Sequence, residues 1–587
     1  MAKIFKYLKP KEWLMAGVSL IFIVAQVWLD LRMPEYMEKI TALTKTAGSA
    51  MSGIWLNGGY MLLCALGSLA AAVIVGFFAA RIGASFSQRL RSLLFNKVES
   101  FSMEEINRFS TSSLITRSTN DITQVQMLIV MALQLVVKAP IMAVWAVTKI
   151  AGKGFEWSML TGGAVLILML MVTLLMIFVI PKFKKMQILT DNITRVTREN
   201  LTGLRVVRAY NAENYQEDKF ETANADLTGT QLFTNRAMAI MMPFMTVIMS
   251  GLPLAIYWIG AYLINAADVM DKLPIFSNMV VFMSYAMQVI MSFMMLVMIF
   301  IMFPRASVSA RRINEVLDTE ANISDGGEAE GLPGVAGEVE FKNVSFKYPG
   351  AAEAVLENIS FKADKGETVA FIGSTGSGKS TLINLVLRFF DATEGEVLVD
   401  GVNVKEYNTE ALMNKLGYVP QQAVLFKGTV ESNVAYGDNG SGGAYSGEDV
   451  KEAVRIAQGT DFVDKMDGEY EAAISQGGTN VSGGQKQRLA IARAVCRKPE
   501  IFIFDDSFSA LDYKTDRVLR SVLKKETALA TSLIVAQRIG TIMDADKIVV
   551  LDEGKIVGQG THGELLRNCA VYKEIAMSQL SEEELVS

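Results

Sequence analysis

Histidine is almost absent from this sequence. The single histidine among 587 residues is His562, in the segment GTHGEL. Thr561 can cap a helix start there, and Glu564 stands three residues on, which is the spacing of a capping box. We therefore predict that His562 lies on the surface and takes no part in catalysis.

Cysteine is scarce, and an excess of positive charge is missing as well. Cys64, Cys496 and Cys569 are odd in number, far apart and without the spacing of metal ligands. This usage predicts a reducing interior and no disulfide framework. The formal net charge of −5 disfavours a nucleic-acid partner.

Apolar residues, in contrast, make up 51% of the chain, which is too much for an ordinary soluble enzyme. Six apolar runs reach or approach the ~20 residues that a bilayer requires. They cover residues 13–31, 54–80, 127–150, 157–180, 238–264 and 275–303. Lys138 interrupts the third run just before Pro140. We interpret it as a side chain that snorkels to the cytosolic interface, the alternative being one that lines an inner cavity and meets an anionic substrate.

The distribution of basic residues predicts the topology. If both termini are cytoplasmic, the inner segments hold 22 Lys and Arg against 6 outside. The basic, amphipathic residues 1–13 predict an interfacial segment before the first span. Two long polar stretches, 81–121 and 181–236, can carry helix pairs into the cytosol, with residues 114–121 and 208–215 near the tips.

A change of composition at residues 318–337, rich in Gly, Pro, Ala and acid, predicts a linker. We predict three regions: a transmembrane domain with cytosolic loops over 1–315, the linker over 316–337, and a second domain over 338–587. Alternating strand and helix patterns in the second domain predict a sheet with a parallel component.

The second domain contains a phosphate-binding loop. GSTGSGKS, at 373–380, has the G-x-x-x-x-G-K-[ST] spacing between an apolar strand and a helix. Its backbone N–H groups can surround the β-phosphate, Lys379 can reach the β and γ oxygens, and the Ser380 hydroxyl can ligate Mg²⁺. The candidate binding residues are Gly373, Ser374, Thr375, Gly376, Ser377, Gly378, Lys379, Ser380 and Thr381.

Two further motifs follow. The apolar run 501–504 ends at Asp505, as expected of a strand that presents an acid to magnesium. Between the two motifs lies VSGGQKQR, at 481–488, a glycine pair that opens a helix behind a hydroxyl. We name 481–488 the signature segment, and its candidate residues are Ser482, Gly483, Gly484 and Gln485.

These motifs resemble those of ATP-binding cassette (ABC) transporters over residues 339–572. With the spans, the chain resembles a type IV exporter half-transporter: a six-helix transmembrane domain followed by an α/β P-loop NTPase nucleotide-binding domain. The resemblance implies that Tyr348 stacks on adenine, that Gln421 in YVPQ senses Mg²⁺, and that the signature segment contacts ATP bound to the opposite subunit. It also implies ATP and Mg²⁺ as cofactors, with Ser380, Gln421 and Asp505 on the metal, and makes the two cytosolic tips coupling helices.

The sequence departs from the family at three positions. Asp506 stands where the family has a glutamate that polarises the attacking water, and Gln537 stands where it has a switch histidine. A shorter base has a shorter reach, and an amide has no titratable proton. Gln476 replaces a further glutamate before the signature segment.

The three departures together lead to a heterodimer hypothesis. The site around Lys379 is predicted to bind ATP but hydrolyse it poorly, while the signature segment completes an active site on a partner. The chain thus resembles the degenerate-site subunit of bacterial heterodimeric multidrug exporters, in the inner membrane, with hydrophobic or amphipathic substrates. Two alternatives are an ATP-gated regulatory membrane protein and a slow homodimeric lipid translocator that uses Asp506 as a weak base.

Methionines on the sixth span leave two interpretations open. Six of them recur at steps of three and four residues: Met283, Met287, Met291, Met294, Met298 and Met302. They form an adaptable surface for hydrophobic substrates, or they only pack against helices and lipid.

Overall fold

The computed structural model describes residues 2–45, 51–151, 153–438, 440, 443 and 445–580. Contacts divide the chain into two units. The first unit is Met1–Lys97 with Ser112–Thr319, and the second is Val98–Thr111 with Glu320–Ser587. The predicted boundaries at 315 and 337 remain predictions.

Long helices make up the first unit. A short 3₁₀ helix, Ala2–Tyr7, precedes them, and two π-helical segments, Arg117–Asp121 and Ala132–Val136, interrupt them. The helices up to residue 318 are α1 (Pro10–Lys45), α2 (Met51–Glu99), α3 (Met103–Phe109), α4 (Thr111–Thr116), α5 (Ile122–Met131), α6 (Lys138–Ile150), α7 (Phe155–Thr202), α8 (Leu204–Ala209), α9 (Glu213–Ala266) and α10 (Lys272–Asp318). Of these, α3 belongs to the second unit.

The prediction of six spans is confirmed. Within the described ranges, six helical stretches are long and apolar enough to cross a membrane. They are Pro10–Thr44, Met51–Glu99, Thr111–Ile150, Phe155–Thr202, Glu213–Ala266 and Lys272–Leu296, and we number them spans 1 to 6. Their shared core lies around span 6, where Phe282, Tyr285 and Ala286 are fully buried.

The irregular part of span 3 has a local cause. Pro140 lacks a backbone N–H and would break a helix interior. Here it lies in the first turn of α6, directly after the π-helical segment Ala132–Val136, and a missing N–H costs nothing in a first turn. The π-helical segment therefore ends just before the helix in which the proline lies.

Lys138 is paired with a carboxylate of another span. Its ammonium lies 3.2 Å from Asp30 Oδ2 of span 1, and the two side chains are 17% and 13% exposed. The Ser68 hydroxyl of span 2 donates to Asp30 Oδ1. This ion pair was not predicted, because no local pattern shows that a carboxylate from another span meets this lysine. The interfacial position of Lys138 stays a prediction.

The methionines of span 6 do not share one environment. Met283 and Met294 pack against the core of the spans, whereas Met291 is 42% exposed. The side chain of Met298 lies outside those that the structure describes. Packing accounts for part of the series, and a substrate-binding role for the rest stays a prediction.

The two predicted tips differ in outcome. Between spans 2 and 3 the short helix is α3, and residues 114–121 lie in α4 and the π-helical segment that continues into span 3. Ser102 caps α3 in a capping box with Glu105, a start signal that the sequence analysis missed. Between spans 4 and 5, α8 is followed by a turn at 210–212, which places Arg208 and Tyr215 on either side of it.

Three sheets form the second unit. Their strands are β1 (Val339–Phe346), β2 (Leu356–Ala363), β3 (Thr368–Gly373), β4 (Glu394–Val399), β5 (Val402–Asn403), β6 (Leu416–Val419), β7 (Gly428–Thr429), β8 (Ala473–Ile474), β9 (Ile501–Asp505), β10 (Thr531–Val535), β11 (Lys547–Asp552) and β12 (Lys555–Gly560). One sheet has the order β2-β1-β4-β5, the main sheet β12-β11-β3-β10-β9-β6, and the third pairs β7 with β8. The main sheet is parallel except for β12, as the alternating pattern predicts.

Helices flank the sheets on both sides. They are α11 (Lys379–Val386), α12 (Thr409–Lys415), α13 (Val430–Val434), α14 (Gly447–Ile456), α15 (Thr460–Val463), α16 (Gly483–Cys496), α17 (Tyr513–Glu526), α18 (Ile539–Ile542), α19 (His562–Asn568) and α20 (Ala570–Gln579), with 3₁₀ turns at Glu469–Glu471 and Gln476–Gly478. All five residues of β9 are buried, because β9 lies between two parallel neighbours and is covered on both faces.

The predicted linker is held to the second unit. The Gly326 and Leu332 amides donate to the carbonyls of Tyr407 and Asp400 at 3.0 and 2.9 Å. The Arg388 guanidinium donates to the Ser324 carbonyl at 2.7 Å. The Gly-rich linker is therefore bound to the second unit by hydrogen bonds and is not a free connection.

The only histidine is more buried than expected. The Thr561 amide donates to Glu564 at 2.8 Å, which confirms the predicted capping contact. His562 Nδ1 lies 2.7 Å from the hydroxyl of Tyr572, which is fully buried. His562 is thus a half-buried packing residue rather than a surface one.

Candidate nucleotide-binding site

Four segments meet at one edge of the main sheet. Parallel strands end on the same side, so the loops that follow them lie together. The phosphate-binding loop follows β3, Gln537 follows β10, Asp505 and Asp506 end β9, and Gln421 follows β6. Since the strand order is β3-β10-β9-β6, the topology brings these predicted site residues to adjacent positions.

The phosphate-binding loop is wound around its lysine. Lys379 Nζ donates to the carbonyls of Gly373 and Ser374 at 2.9 and 2.7 Å. Gly376 and Gly378 have φ of 87° and 96°, a left-handed conformation that glycine adopts without strain. Burial lowers the pKa of the Lys379 ammonium, and the charges of Asp506 and Asp505 oppose this. The loop therefore presents a desolvated cation, which suits phosphate.

Ser380 and Asp505 form an oxygen pair at the start of α11. The Ser380 hydroxyl donates to Asp505 Oδ1 at 2.9 Å. Burial and the neighbouring Asp506 charge raise the pKa of Asp505 despite that hydrogen bond. Mg²⁺ prefers one or two carboxylates together with hydroxyls, water and phosphate oxygens. The pair fits this ion, which would supply positive charge beside the phosphates, and Gln421 can add an amide oxygen.

Asp506 is held by two amides. Its Oδ2 accepts hydrogen bonds from Gln537 Nε2 at 3.0 Å and Gln421 Nε2 at 3.3 Å. Its own amide donates to the Val535 carbonyl, and its φ is 45°, an uncommon conformation for a residue other than glycine. The residue is 8% exposed. Asp506 and Gln537, which depart from the family, are thus joined with Gln421, the predicted Mg²⁺ sensor, in one hydrogen-bonded group.

Gln579 is a residue that the sequence analysis missed. Its amide nitrogen donates to the Gln537 carbonyl at 2.9 Å, and its oxygen accepts from the Ile539 amide at 2.8 Å. The side chain at the end of α20 therefore bridges both sides of the Gln537 loop. No motif marks it, because the contact joins segments that are separate in sequence.

Tyr348 lies beside the phosphate-binding loop. Its hydroxyl is 3.0 Å from that of Thr381, and its ring stands edge-on to Phe346 and Phe390 at 4.8 and 5.2 Å. These contacts fix the orientation of the Tyr348 ring, which is partly buried near α11. Stacking on adenine stays a prediction for this residue.

The signature segment is not joined to the phosphate-binding loop by hydrogen bonds in the part of the chain that the structure describes. Instead, Ser482 caps α16. The Gln485 amide donates to the Ser482 hydroxyl at 3.3 Å, and the Ser482 amide donates to the Gln485 side chain at 2.8 Å. A side chain placed on Gly483 would meet no atom within 4 Å. The segment thus presents an open helix N-terminus, which favours an anion. Gln476 is also exposed.

Known protein families match both parts of the chain. The family described as "ABC transporter transmembrane region" matches residues 16–293. The family described as "ABC transporter" matches residues 356–509. The second match contains the phosphate-binding loop, the signature segment, Asp505 and Asp506.

Relatives are similar along the whole length. An uncharacterized ABC transporter ATP-binding protein of Mycobacterium tuberculosis is 39% identical over 99% of this chain and 98% of its own length. The ATP-binding protein YfiB of Bacillus subtilis is 33% identical over 99% of both. An ATP-dependent lipid A-core flippase of Pseudomonas aeruginosa is 31% identical over 86% of this chain and 82% of its own.

A solved structure has the same fold. The structure of a bacterial Atm1-family ABC exporter with ATP bound covers 97% of this chain, and this chain covers 98% of that one. The TM-score is 0.79 at 24% identity. The predicted architecture, six membrane helices followed by a P-loop domain, is thereby confirmed.

Proposed function

Because this chain belongs to the ABC transporter family, with a transmembrane region followed by an ATP-binding domain, we propose that it exports hydrophobic or amphipathic compounds as the degenerate-site half of a heterodimer. The observation that carries this proposal is the arrangement of Asp506. Its carboxylate accepts from Gln537 and Gln421, and neither amide can take up a proton.

Hydrolysis needs a base within hydrogen-bond reach of the attacking water. Asp506 is one methylene shorter than glutamate, and one of its two carboxylate oxygens, Oδ2, already accepts from two amides. Lys379, Ser380 and Asp505 retain what phosphate and magnesium binding requires. The site therefore binds ATP but hydrolyses it slowly.

The open signature segment supports the second half of the proposal. Its N-terminus can receive the γ-phosphate of ATP bound to a partner that supplies a glutamate and a histidine. ATP then brings the two ATP-binding domains together, and hydrolysis at the partner's complete site separates them. The spans alternate between inward-facing and outward-facing arrangements in step with this cycle.

The proposed location is a bacterial inner membrane with both termini in the cytoplasm. The excess of Lys and Arg beside the predicted inner ends of the spans supports this orientation. It places the ATP-binding domain where ATP is available.

The first test is the composition of the complex. The tagged chain, purified gently from its native membrane, is expected to bring one distinct half-transporter at one to one. That partner should carry a glutamate after its metal aspartate and a switch histidine. Recovery of this chain alone as a dimer would contradict the heterodimer.

A second test compares the two half-sites of the assembled pump. Gly483→Asp has open space and an acid is favoured in a first helical turn, so folding should be retained. Its charge faces the partner's ATP, and repulsion of ~1 to 4 kcal/mol at ~4 Å should lower turnover roughly tenfold or more. Lys379→Ala, which affects only this chain's own site, should lower turnover less. Equal losses in ATPase assays, with equal assembly by size-exclusion chromatography, would contradict the asymmetry.

A second candidate function is homodimeric lipid translocation. It is favoured by the similarity to proteins named lipid A-core flippases at about 31% identity. In that case the chain alone, in proteoliposomes, flips a fluorescent phospholipid in an ATP-dependent manner. Activity of the chain without a partner would replace our first proposal with this one.

A further inference from the structure

Two acid–lysine pairs join spans 1 and 3, and a third joins span 1 to Lys153, three residues after the end of span 3. Asp30, Glu35 and Glu38 of span 1 face Lys138, Lys149 and Lys153, at 3.2, 2.6 and 2.8 Å. Each acid lies farther along span 1 than the one before, and each lysine farther along the sequence from Lys138, so the series runs toward the C-terminal ends of spans 1 and 3. Charged side chains within membrane spans are costly and usually mark a functional pathway.

The C-terminal part of this series borders a cavity of about 450 Å³. Its walls include two acids, three lysines and a tyrosine: Glu35, Glu38, Lys39, Lys149, Lys153 and Tyr285. Tyr285 is fully buried and donates to the Leu31 carbonyl at 3.1 Å. Its ring forms an apolar wall beside the charges, so the cavity has a mixed character suited to an amphipathic molecule.

The charges around this cavity do not balance. Glu35 is shared by Lys149 and Arg32, at 2.6 Å from each, and Glu38 is paired with Lys153. Lys39 approaches the ring of Tyr36 at 5.3 Å, and within the described ranges it forms no ion pair with a carboxylate. Four cations therefore accompany two carboxylates, an excess of two positive charges.

We propose that this cavity binds the anionic group, a phosphate or a carboxylate, of an amphipathic substrate of the pump. The inference rests on the proposed export function and specifies its substrate class. Lys39 contacts the anion because the other cations are already paired, and the acids hold Lys149 and Lys153 in place. The apolar part of the substrate lies against Tyr285.

The test measures binding of two probes with the same tail and opposite charge. Tritiated dodecyl phosphate and dodecyltrimethylammonium, below their micellar concentrations, are bound to the purified full-length complex in phosphatidylcholine nanodiscs. Lys39→Gln should weaken dodecyl phosphate at least tenfold, as expected when the one cation in direct contact with the anion is removed. Glu38→Gln should strengthen it, and Lys39→Arg should restore wild-type binding. The ammonium probe should respond in the opposite sense or not at all.

Three outcomes would overturn the assignment: no change with Lys39→Gln, an equal change for both probes, or competition by inorganic phosphate as strong as that by dodecyl phosphate. The last would indicate a site for free anions rather than amphiphiles. ATP-driven uptake of the probes into inside-out vesicles is measured in parallel. Charge-dependent binding without uptake would contradict export and leave the cavity assignment standing. If either probe is taken up but its binding does not respond to Lys39→Gln or Glu38→Gln, the assignment of the anion site to this cavity is contradicted, while export is not.

Discussion

Replacing Asp506 by Glu together with Gln537 by His is expected to raise ATP hydrolysis at this chain's own site by roughly 10²- to 10⁴-fold, the usual contribution of a placed general base. The glutamate reaches one methylene farther, and the histidine removes one of the two amides that occupy Asp506 Oδ2. The measurement is single-turnover hydrolysis in a complex whose partner site is disabled.

The structure predicts that these two positions are coupled. Asp506→Glu alone leaves Gln537 positioned to donate to the new carboxylate, and Gln537→His alone leaves the base too short. Each single variant should therefore gain much less than the pair, and a double-mutant cycle measures the difference. Gln579 holds the Gln537 backbone from both sides, so the histidine should take up the same loop position.

A matched control distinguishes chemistry from binding. Asp505→Asn in the background of the double variant should remove the gain, because the amide keeps an oxygen for Ser380 but loses the negative charge that Mg²⁺ prefers. An unchanged rate in the double variant, with ATP binding intact, would show that the degenerate residues do not limit hydrolysis.

The second large effect is expected in the membrane domain. Lys138→Leu leaves Asp30 as a poorly exposed carboxylate with only Ser68 as a polar partner of its side chain among the described residues. Removing one member of a buried pair typically destabilises by about 3–5 kcal/mol. We expect a large fall in the thermal midpoint of the detergent-solubilised complex and a low yield from membranes.

The same physics predicts rescue. Asp30→Asn combined with Lys138→Met removes both charges and should recover most of the lost stability, because no uncompensated ion remains. Lys149→Leu is the comparison variant. Glu35 keeps Arg32 at 2.6 Å, so its effect should be clearly smaller. If Lys138→Leu is as stable as wild type, the pair between spans 1 and 3 does not contribute to stability.

The nucleotide site could be predicted from sequence because its motifs are short and each is tied to a strand end. GSTGSGKS and the apolar run before Asp505 specify both the residues and the edge of the sheet where they meet. The shared hydrogen bonding of Asp506 could not be predicted, since Gln421, Asp506 and Gln537 follow three different strands. Their relation depends on the strand order β10-β9-β6, which local patterns do not contain.

In the membrane domain, the elements could be predicted from the sequence but the contacts between them could not. Hydropathy located all six spans, because length and apolar character are properties of a single segment. The partner of Lys138 was missed, since pairing between spans is a property of two segments with no common pattern. Similarly, the first cytosolic tip was predicted at residues 114–121, whereas the short helix α3 lies about three turns earlier. The polar stretch 81–121 holds several turn signals, and only Ser102 with Glu105 forms the cap.

The pair between Asp30 and Lys138 also bears on how the chain enters the membrane during synthesis. A lysine near the middle of an apolar segment disfavours insertion by about 2.5–3.5 kcal/mol, and span 3 carries one next to a proline. Span 1 is made first and already holds the counter-charge, with Ser68 of span 2 beside it. We therefore expect span 3 to insert more readily once spans 1 and 2 are in the membrane, and a ribosome-bound chain that lacks span 1 should insert span 3 less efficiently.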